Sequence, residues 1–164
     1  MKFLTYCTMT LAFALFFQKE APAASPHFIY CNASGVSETG SVKVSFKEAG
    51  LGANQNITYQ ATATATATYV CVNKGGQIPN DPKKTSVTGP VSATGTFNSG
   101  KNGNIVASLT IQPPAPPSDF TCPPGQIMRL ASVSFSNVAV RDVTNNVTCT
   151  TSPTTFSRTF IVLP

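Results

Sequence analysis

The run Ala61 to Val72, ATATATATYVCV, alternates small apolar and polar residues with strict two-residue periodicity. Only an extended strand gives such a pattern two different faces, so it predicts the central strand of a β-sheet. Around it the same period recurs in shorter pieces. Phe28 to Cys31 opens the series. Val42, Val44 and Phe46 then alternate with Lys43, Ser45 and Lys47, as in a half-buried strand with a polar outer face. Ile57 to Val72, Ser86 to Phe97, Ile105 to Ile111, Ala131 to Val140, Val147 to Thr150 and Phe156 to Leu163 complete the predicted strands. After residue 23 no window carries apolar residues at helical spacing without interruption by Gly, Pro or β-branched runs.

The segments between the strands read as turns and loops. Asn98 to Asn104, NSGKNGN, reads as a hairpin connection. Asn73 to Lys84 holds paired glycines and two prolines, and Gln112 to Gly125, QPPAPPSDFTCPPG, is proline-rich and expected to be extended and semi-rigid. Seven to nine short antiparallel strands predict an all-β fold: an antiparallel β-sandwich of immunoglobulin-like type, with a small β-barrel as the alternative. The chain has no Trp, so the tryptophan that packs on a disulfide in antibody-type domains is absent.

The long strand also allows a length test. Ile57 to Val72 at about 3.3 Å per residue would span roughly 53 Å. A compact domain of this size has a diameter of roughly 37 Å. A bulge or bend within the strand, or an overhang at one end, is therefore expected. One face carries Ile57, Tyr59, Ala61, Ala63, Ala65, Ala67, Tyr69 and Cys71, the other Thr58, Gln60, Thr62, Thr64, Thr66, Thr68, Val70 and Val72. The alanine face is expected inward, with the facing sheet supplying bulk from among Phe46, Phe97, Phe135, Phe156 and Phe160. The threonines would then form a solvent-facing row about 7 Å apart, a pattern able to order water or meet ice, although one row is not an array.

Composition changes the picture at the start of the chain. Met1-Lys2 is followed by the apolar run Phe3 to Phe17, too short to span a bilayer, and then by Ala21-Pro22-Ala23. Residues 1–23 are expected to be a signal peptide, and 24–164 a single secreted β-sandwich domain. No later segment reads as a membrane span. Removing Lys2, Lys19 and Glu20 from the eleven basic and six acidic residues leaves nine and five, a net charge of +4. These bases are scattered, with Lys83-Lys84 the only adjacent pair, so no phosphate-binding stripe exists and nucleic acid is not an expected partner.

Cys31, Cys71, Cys122 and Cys149 remain in the secreted part, an even number suited to an oxidising compartment. Of three possible pairings, Cys71 with Cys122 and Cys31 with Cys149 is the expected set, the second tying the first strand to a late one. Zinc is not expected, since no CxxC pair exists and His27 is the sole histidine. Asn32-Ala33-Ser34, Asn56-Ile57-Thr58 and Asn146-Val147-Thr148 match the N-glycosylation pattern, which matters if the source is eukaryotic.

Several segments together, Pro26-His27-Phe28, Glu48-Ala49-Gly50-Leu51-Gly52, ATATATATYVCVNKGG, Ser99-Gly100-Lys101-Asn102-Gly103 and Cys122-Pro123, resemble a group of small secreted proteins of ascomycete fungi and actinomycetes. No activity is assigned to that group. The resemblance implies secretion, a β-rich fold and a shared Cys71 and Cys122 pair, and it carries over no catalytic residue.

Catalytic constellations are sparse. A Ser–His–acid hydrolase would depend on His27, and no GxSxG elbow accompanies it. A copper centre braced by two histidines cannot be built from one. The acids Glu38, Glu48, Asp81, Asp119 and Asp142 all read as loop or turn residues, solvated or capping, which argues against paired-carboxylate glycosidase chemistry and against calcium at Asp81 or Asp142. No cofactor is expected. Without Trp, the rings open to a glycan are Tyr30, Tyr59, Tyr69 and Phe120, and the exposed candidates for ligand contact are Tyr30 and Phe120. Phe120, in its proline-rich loop, either meets a partner or covers the Cys122 disulfide. The sequence thus predicts a secreted, extracellular, monomeric, non-enzymatic binding protein whose partner is a cell-wall carbohydrate or an extracellular protein, with an effector or elicitor role if the source is a plant-associated fungus. A structural wall or matrix protein is the alternative, and a hydrolase acting on glycans comes third.

Overall fold

A computed structural model describes residues 24–164; the expected signal peptide lies outside the described residues. Eight strands follow in chain order: β1 (His27–Ala33), β2 (Val42–Ala49), β3 (Asn56–Asn73), β4 (Lys84–Asn98), β5 (Ile105–Ile111), β6 (Gln126–Asp142), β7 (Val147–Thr150) and β8 (Phe156–Thr159). They form two antiparallel sheets. The smaller has the order β1-β2-β5 and the larger β4-β3-β6-β7, with β8 also pairing β6. This is an immunoglobulin-like sandwich in which the fourth strand pairs with the third instead of extending the first sheet. Neither sheet closes into a barrel.

That strand order corrects one reading. The turn-rich segment after Asn98 is not a hairpin, because β4 pairs with β3 while β5 pairs with β2. It crosses from one sheet to the other. Its turns instead lock against the β2–β3 connection: Leu51 N donates to Gly103 O at 3.0 Å, Asn54 N to Gly100 O at 2.7 Å, and Ser99 Oγ to Gly52 O at 2.7 Å.

β3 runs unbroken for 18 residues and pairs with β4 in one continuous register from Asn56↔Asn98 to Val70↔Lys84. The expected irregularity falls in its other neighbour. Val138 and Asn137 of β6 together face Ala63, and Ala131 has no counterpart between the pairs Thr68↔Ser132 and Tyr69↔Leu130. Asn137 takes a left-handed conformation with φ of 57°, which Asn tolerates better than most residues. Each bulge flips the phase of β6. Val133 and Phe135 point inward before Asn137, and Val138, Val140 and Asp142 after it.

The alanine face of β3 is buried as expected: Ala61, Ala63, Ala65 and Ala67 belong to the main core with Tyr59 and Ile57. The bulk that fills the space above the alanines is distributed differently from the expectation. Of the five phenylalanines, only Phe46 comes from the facing sheet, where Val42, Val44, Leu109 and Ile111 join it; within the large sheet Phe135 opposes Ala65, Phe97 opposes Ile57 and Phe156 opposes Phe135, and Phe160 packs against the core just after β8. At one end Phe28, Phe46, Tyr59 and Phe97 form an aromatic cluster with ring centroids 4.5 to 6.2 Å apart.

A second, smaller core lies on the opposite face of the large sheet. Val70 and Val72 continue the phase of the threonines and would be solvent-exposed, but Ile78, Ile127, Ile161 and Leu163 pack with them and with Ala131. This explains why β8 is shorter than the predicted Phe156 to Leu163: after Thr159 the chain leaves the ladder to cover this apolar end. Both expected disulfides form. Cys31–Cys149 ties the small sheet to the large one, and Cys71–Cys122 pins the proline-rich loop to β3.

Candidate functional site

The row of threonines is one line of a much wider surface. Directly opposed residues in antiparallel strands share a face, and the register places Thr58, Thr62, Thr66 and Thr68 of β3 opposite Thr96, Ser92, Thr88 and Ser86 of β4. On the other side Thr64, Thr66 and Thr68 stand opposite Ser136, Ser134 and Ser132 of β6, and the last two oppose Ser157 and Thr159 of β8. Thr94, Thr148 and Thr150 extend the same face at its far end. Its rows are therefore about 4.8 Å apart across strands and about 6.8 Å along them. Several hydroxyls bond to each other across the strands: Thr58 to Thr96 at 2.9 Å, Thr66 to Thr88 at 2.8 Å and Thr68 to Ser86 at 2.9 Å. Each hydroxyl has one donor and two acceptor positions, so these pairs are held in place and still leave capacity facing solvent.

The face is nearly free of charge and of rings. Arg141, opposite Gln60 and Thr148, is the charged side chain within these rows, and the aromatic residues Tyr59, Phe97 and Phe135 of the same strands belong to the core.

The residues expected to touch a ligand lie elsewhere and apart from one another. Tyr30, 38% exposed, is on the outer face of the small sheet in a row with Lys47 and the exposed Val106. Phe120 is half-buried beneath the Lys83 ammonium, 5.3 Å from its ring centroid, and Lys83 Nζ donates to Thr121 O at 2.7 Å. Tyr69 donates its hydroxyl to Pro114 O at 2.8 Å, fastening the proline-rich loop. The glycosylation-pattern asparagines Asn32, Asn56 and Asn146 are all exposed. Asn56 Oδ1 accepts from Asn98 Nδ2 and Asn146 Oδ1 from the Arg141 guanidinium.

Two acids depart from the sequence reading. Glu38, Asp81 and Asp119 are exposed, but Glu48 and Asp142 are fully buried strand residues. Strand phase is the reason. Glu48 follows Val42, Val44 and Phe46 on the inward side of β2, and Asp142 follows Val138 and Val140 on β6. Asp142 accepts from Asn145 N at 2.9 Å and from Asn145 Nδ2 at 2.6 Å, bracing the β6–β7 turn. Neither carboxylate oxygen of Glu48 has a hydrogen-bond partner among the described residues, nor does the Tyr59 hydroxyl. Burial drives the Glu48 pKa up to about 7; Asp142 nearby adds to the rise, while Tyr59 and His27 oppose it. Burial likewise pushes the Tyr59 phenol upward, reinforced by Glu48 and Asp142.

No protein-family model, curated protein or solved structure matches this chain.

Beside the start of β1 the surface dips into a shallow depression of about 310 Å³ lined by Ser25, His27, Gly50, Gly52, Lys101 and Asn102. Three segments meet here, contributing Ser25 and His27, Gly50 and Gly52, and Lys101 to Gly103. Their role in the fold is structural: they knit two turns and the start of β1 into one end of the sandwich. Among the described residues no group of three or more His, Cys, Asp or Glu side chains is placed to hold a metal ion, and no helix is long and apolar enough to cross a membrane.

Proposed function

We propose that this protein is a non-enzymatic binding protein acting outside the cell, and that the hydroxyl face of its large sheet docks along a cell-wall polysaccharide. The observation that carries the reading is the register-matched array of Ser and Thr on β3, β4, β6 and β8. A repetitive, hydrogen-bonding surface with few charges complements a repetitive, uncharged, polyhydroxylated polymer. Each contact is worth little because water competes for every hydroxyl, so affinity must come from many contacts along one chain. The two disulfides suit an extracellular setting.

Sheet twist favours a polymer over a planar lattice. Adjacent strands rotate by about 20–25°, so the four-strand path accumulates roughly 60–75° across its width. A linear glycan can follow that curvature, whereas an ice plane cannot. The test is co-sedimentation of the intact disulfide-bonded protein with insoluble β-glucan, chitin and cellulose, beside a variant carrying Thr66→Lys and Thr88→Lys. Saturable binding to one polymer that the variant loses supports the proposal. Binding that the variant retains, thermal hysteresis in place of glycan binding, or turnover of the polymer would overturn it.

A further inference from the structure

We infer that Glu48 is a proton-operated latch: neutral, it stays sealed beneath the start of β1, and once ionised it forces the segment Ser25–Tyr30 to lift so that water can reach it. This device is independent of the hydroxyl face.

The geometry isolates the moving part. Glu48 is fully buried with both oxygens unpartnered among the described residues, and an ionised carboxylate in that state is strongly disfavoured. Every neighbouring strand contributes to its surroundings. From β1, Phe28 is its register partner and His27 stands beside it; β5 supplies apolar Ile105; Tyr59 comes from β3 and Asp142 from the end of β6. Asp142 disfavours a charge on Glu48; the Tyr59 hydroxyl favours one but carries no positive charge, and His27, which also favours it, is exposed and engaged through Nδ1 with Ser25 O at 2.8 Å. Among the described residues no cation is enclosed with the carboxyl.

β1 is the element best able to yield. It is an edge strand paired with β2 alone, and Ile29 interrupts its ladder as a bulge between Phe28↔Glu48 and Tyr30↔Lys47. The next residue after Tyr30 is Cys31, bonded to Cys149. Movement that starts at Ser25 is therefore arrested at the disulfide, and the remainder of the sandwich need not open. Lifting withdraws Phe28 from Phe46 and Tyr59, which lie 6.1 and 6.2 Å away between ring centroids. It also opens the His27 side of the depression shared with Gly50 and Lys101.

Amide hydrogen exchange on the intact disulfide-bonded protein, corrected for intrinsic chemistry, tests the latch. As pH rises from below 4.5 to above 7 the amides of β1 before Cys31 should lose protection by up to about 300-fold, tenfold per unit of the Glu48 shift. Their exchange should be insensitive to low guanidinium, while Ala61 to Ala67 exchange more slowly at every pH and only through a denaturant-sensitive opening. Glu48→Gln should remove the pH response of the β1 amides. Exchange of both regions at one rate with one denaturant dependence, or an unchanged pH response in Glu48→Gln, would overturn the latch. Should Glu48→Gln fail to fold, the carboxyl carbon of Glu48 in the unaltered protein decides: a titration midpoint near 7 supports the latch, and one near 4.5 refutes it.

Discussion

Replacing Ala67 with Leu tests the packing of the alanine face most directly. Ala67 is fully buried, with Val87 beside it on β4 and Val133 beside it on β6, so three added heavy atoms must displace side chains already in contact. Overpacking of this kind costs about 1–3 kcal/mol net of the hydrophobic gain, and Ala67 belongs toward the top of that range. Ala65 offers a graded comparison. It is equally hidden, and Phe135 stands on one side, but on the other lies Gly89, where an added Cβ would meet nothing within 4 Å. A leucine at position 65 can lean into that space, so its cost should be about 1 kcal/mol. Thr64 supplies the control on the opposite face: it is exposed and its hydroxyl makes no hydrogen bond among the described residues, so Thr64→Leu should stay within about 0.5 kcal/mol of the parent. Thermal unfolding followed by circular dichroism at one pH, with disulfides intact, should give melting temperatures lowered by roughly 6–10 °C, about 3 °C and less than 2 °C respectively. Equal losses for Ala67→Leu and Thr64→Leu, or a larger loss for the threonine, would refute the assignment of faces.

Global stability should follow acidity through Glu48. Its folded pKa of about 7 lies above the unfolded 4.5, so the native state holds the proton more tightly and its stabilisation is complete below pH 4.5. Denaturant unfolding should show stability falling by up to about 3 kcal/mol as pH rises from 4.5 to 7 and levelling above that; Glu48→Gln should flatten this limb of the curve, and a stability that rises with pH in the same window would contradict the reasoning. Gly50→Ala should destabilise by about 2 kcal/mol or more, because φ is +75° and a Cβ there would lie 2.1 Å from Ser25 O. Gly52→Ala, at φ +74° but with only the Gln55 side chain near, should cost about 1 kcal/mol, and an equal loss at both positions would dismiss the close approach of Ser25.

The fold was legible wherever alternation was uninterrupted. Ile57 to Val72 announces its own strand, and its alanines announce the core, because a two-residue period leaves only two ways to bury a face. Pairing between strands was less legible. Nothing local in Ser99 to Asn104 tells a hairpin from a crossover between sheets; that choice is made by β2, which claims β5 through contacts distant in sequence. The width of the hydroxyl face was hidden for the same reason. Ser86 to Thr96 and Ser132 to Ser136 each show alternating hydroxyls, but only the register brings them level with the threonines of β3. The coverage of Val70 and Val72 by Ile161 and Leu163 likewise depends on where the chain goes after β8.

The buried acids were legible in principle, since phase does not stop at the last apolar residue. Val42, Val44 and Phe46 set a beat on which Glu48 falls next, and the assumption that a carboxylate ends a strand concealed it. β6 carries the same lesson with a slip in it. Val133 and Phe135 occupy odd positions and Val138 and Val140 even ones, so the sequence itself marks an extra residue near Asn137, and carrying the second phase one step further lands on Asp142. Two strands thus deliver their acids to one end of the sandwich, where Tyr59 meets them from β3. An apolar residue at position 48 would satisfy the packing of β2 without the cost of burying an unpaired carboxyl. A carboxyl at a position where packing alone favours a hydrocarbon is the physical reason to look for a role of the proton there, and the adjoining edge strand, interrupted at Ile29 and stopped at Cys31, is the element through which that proton can act.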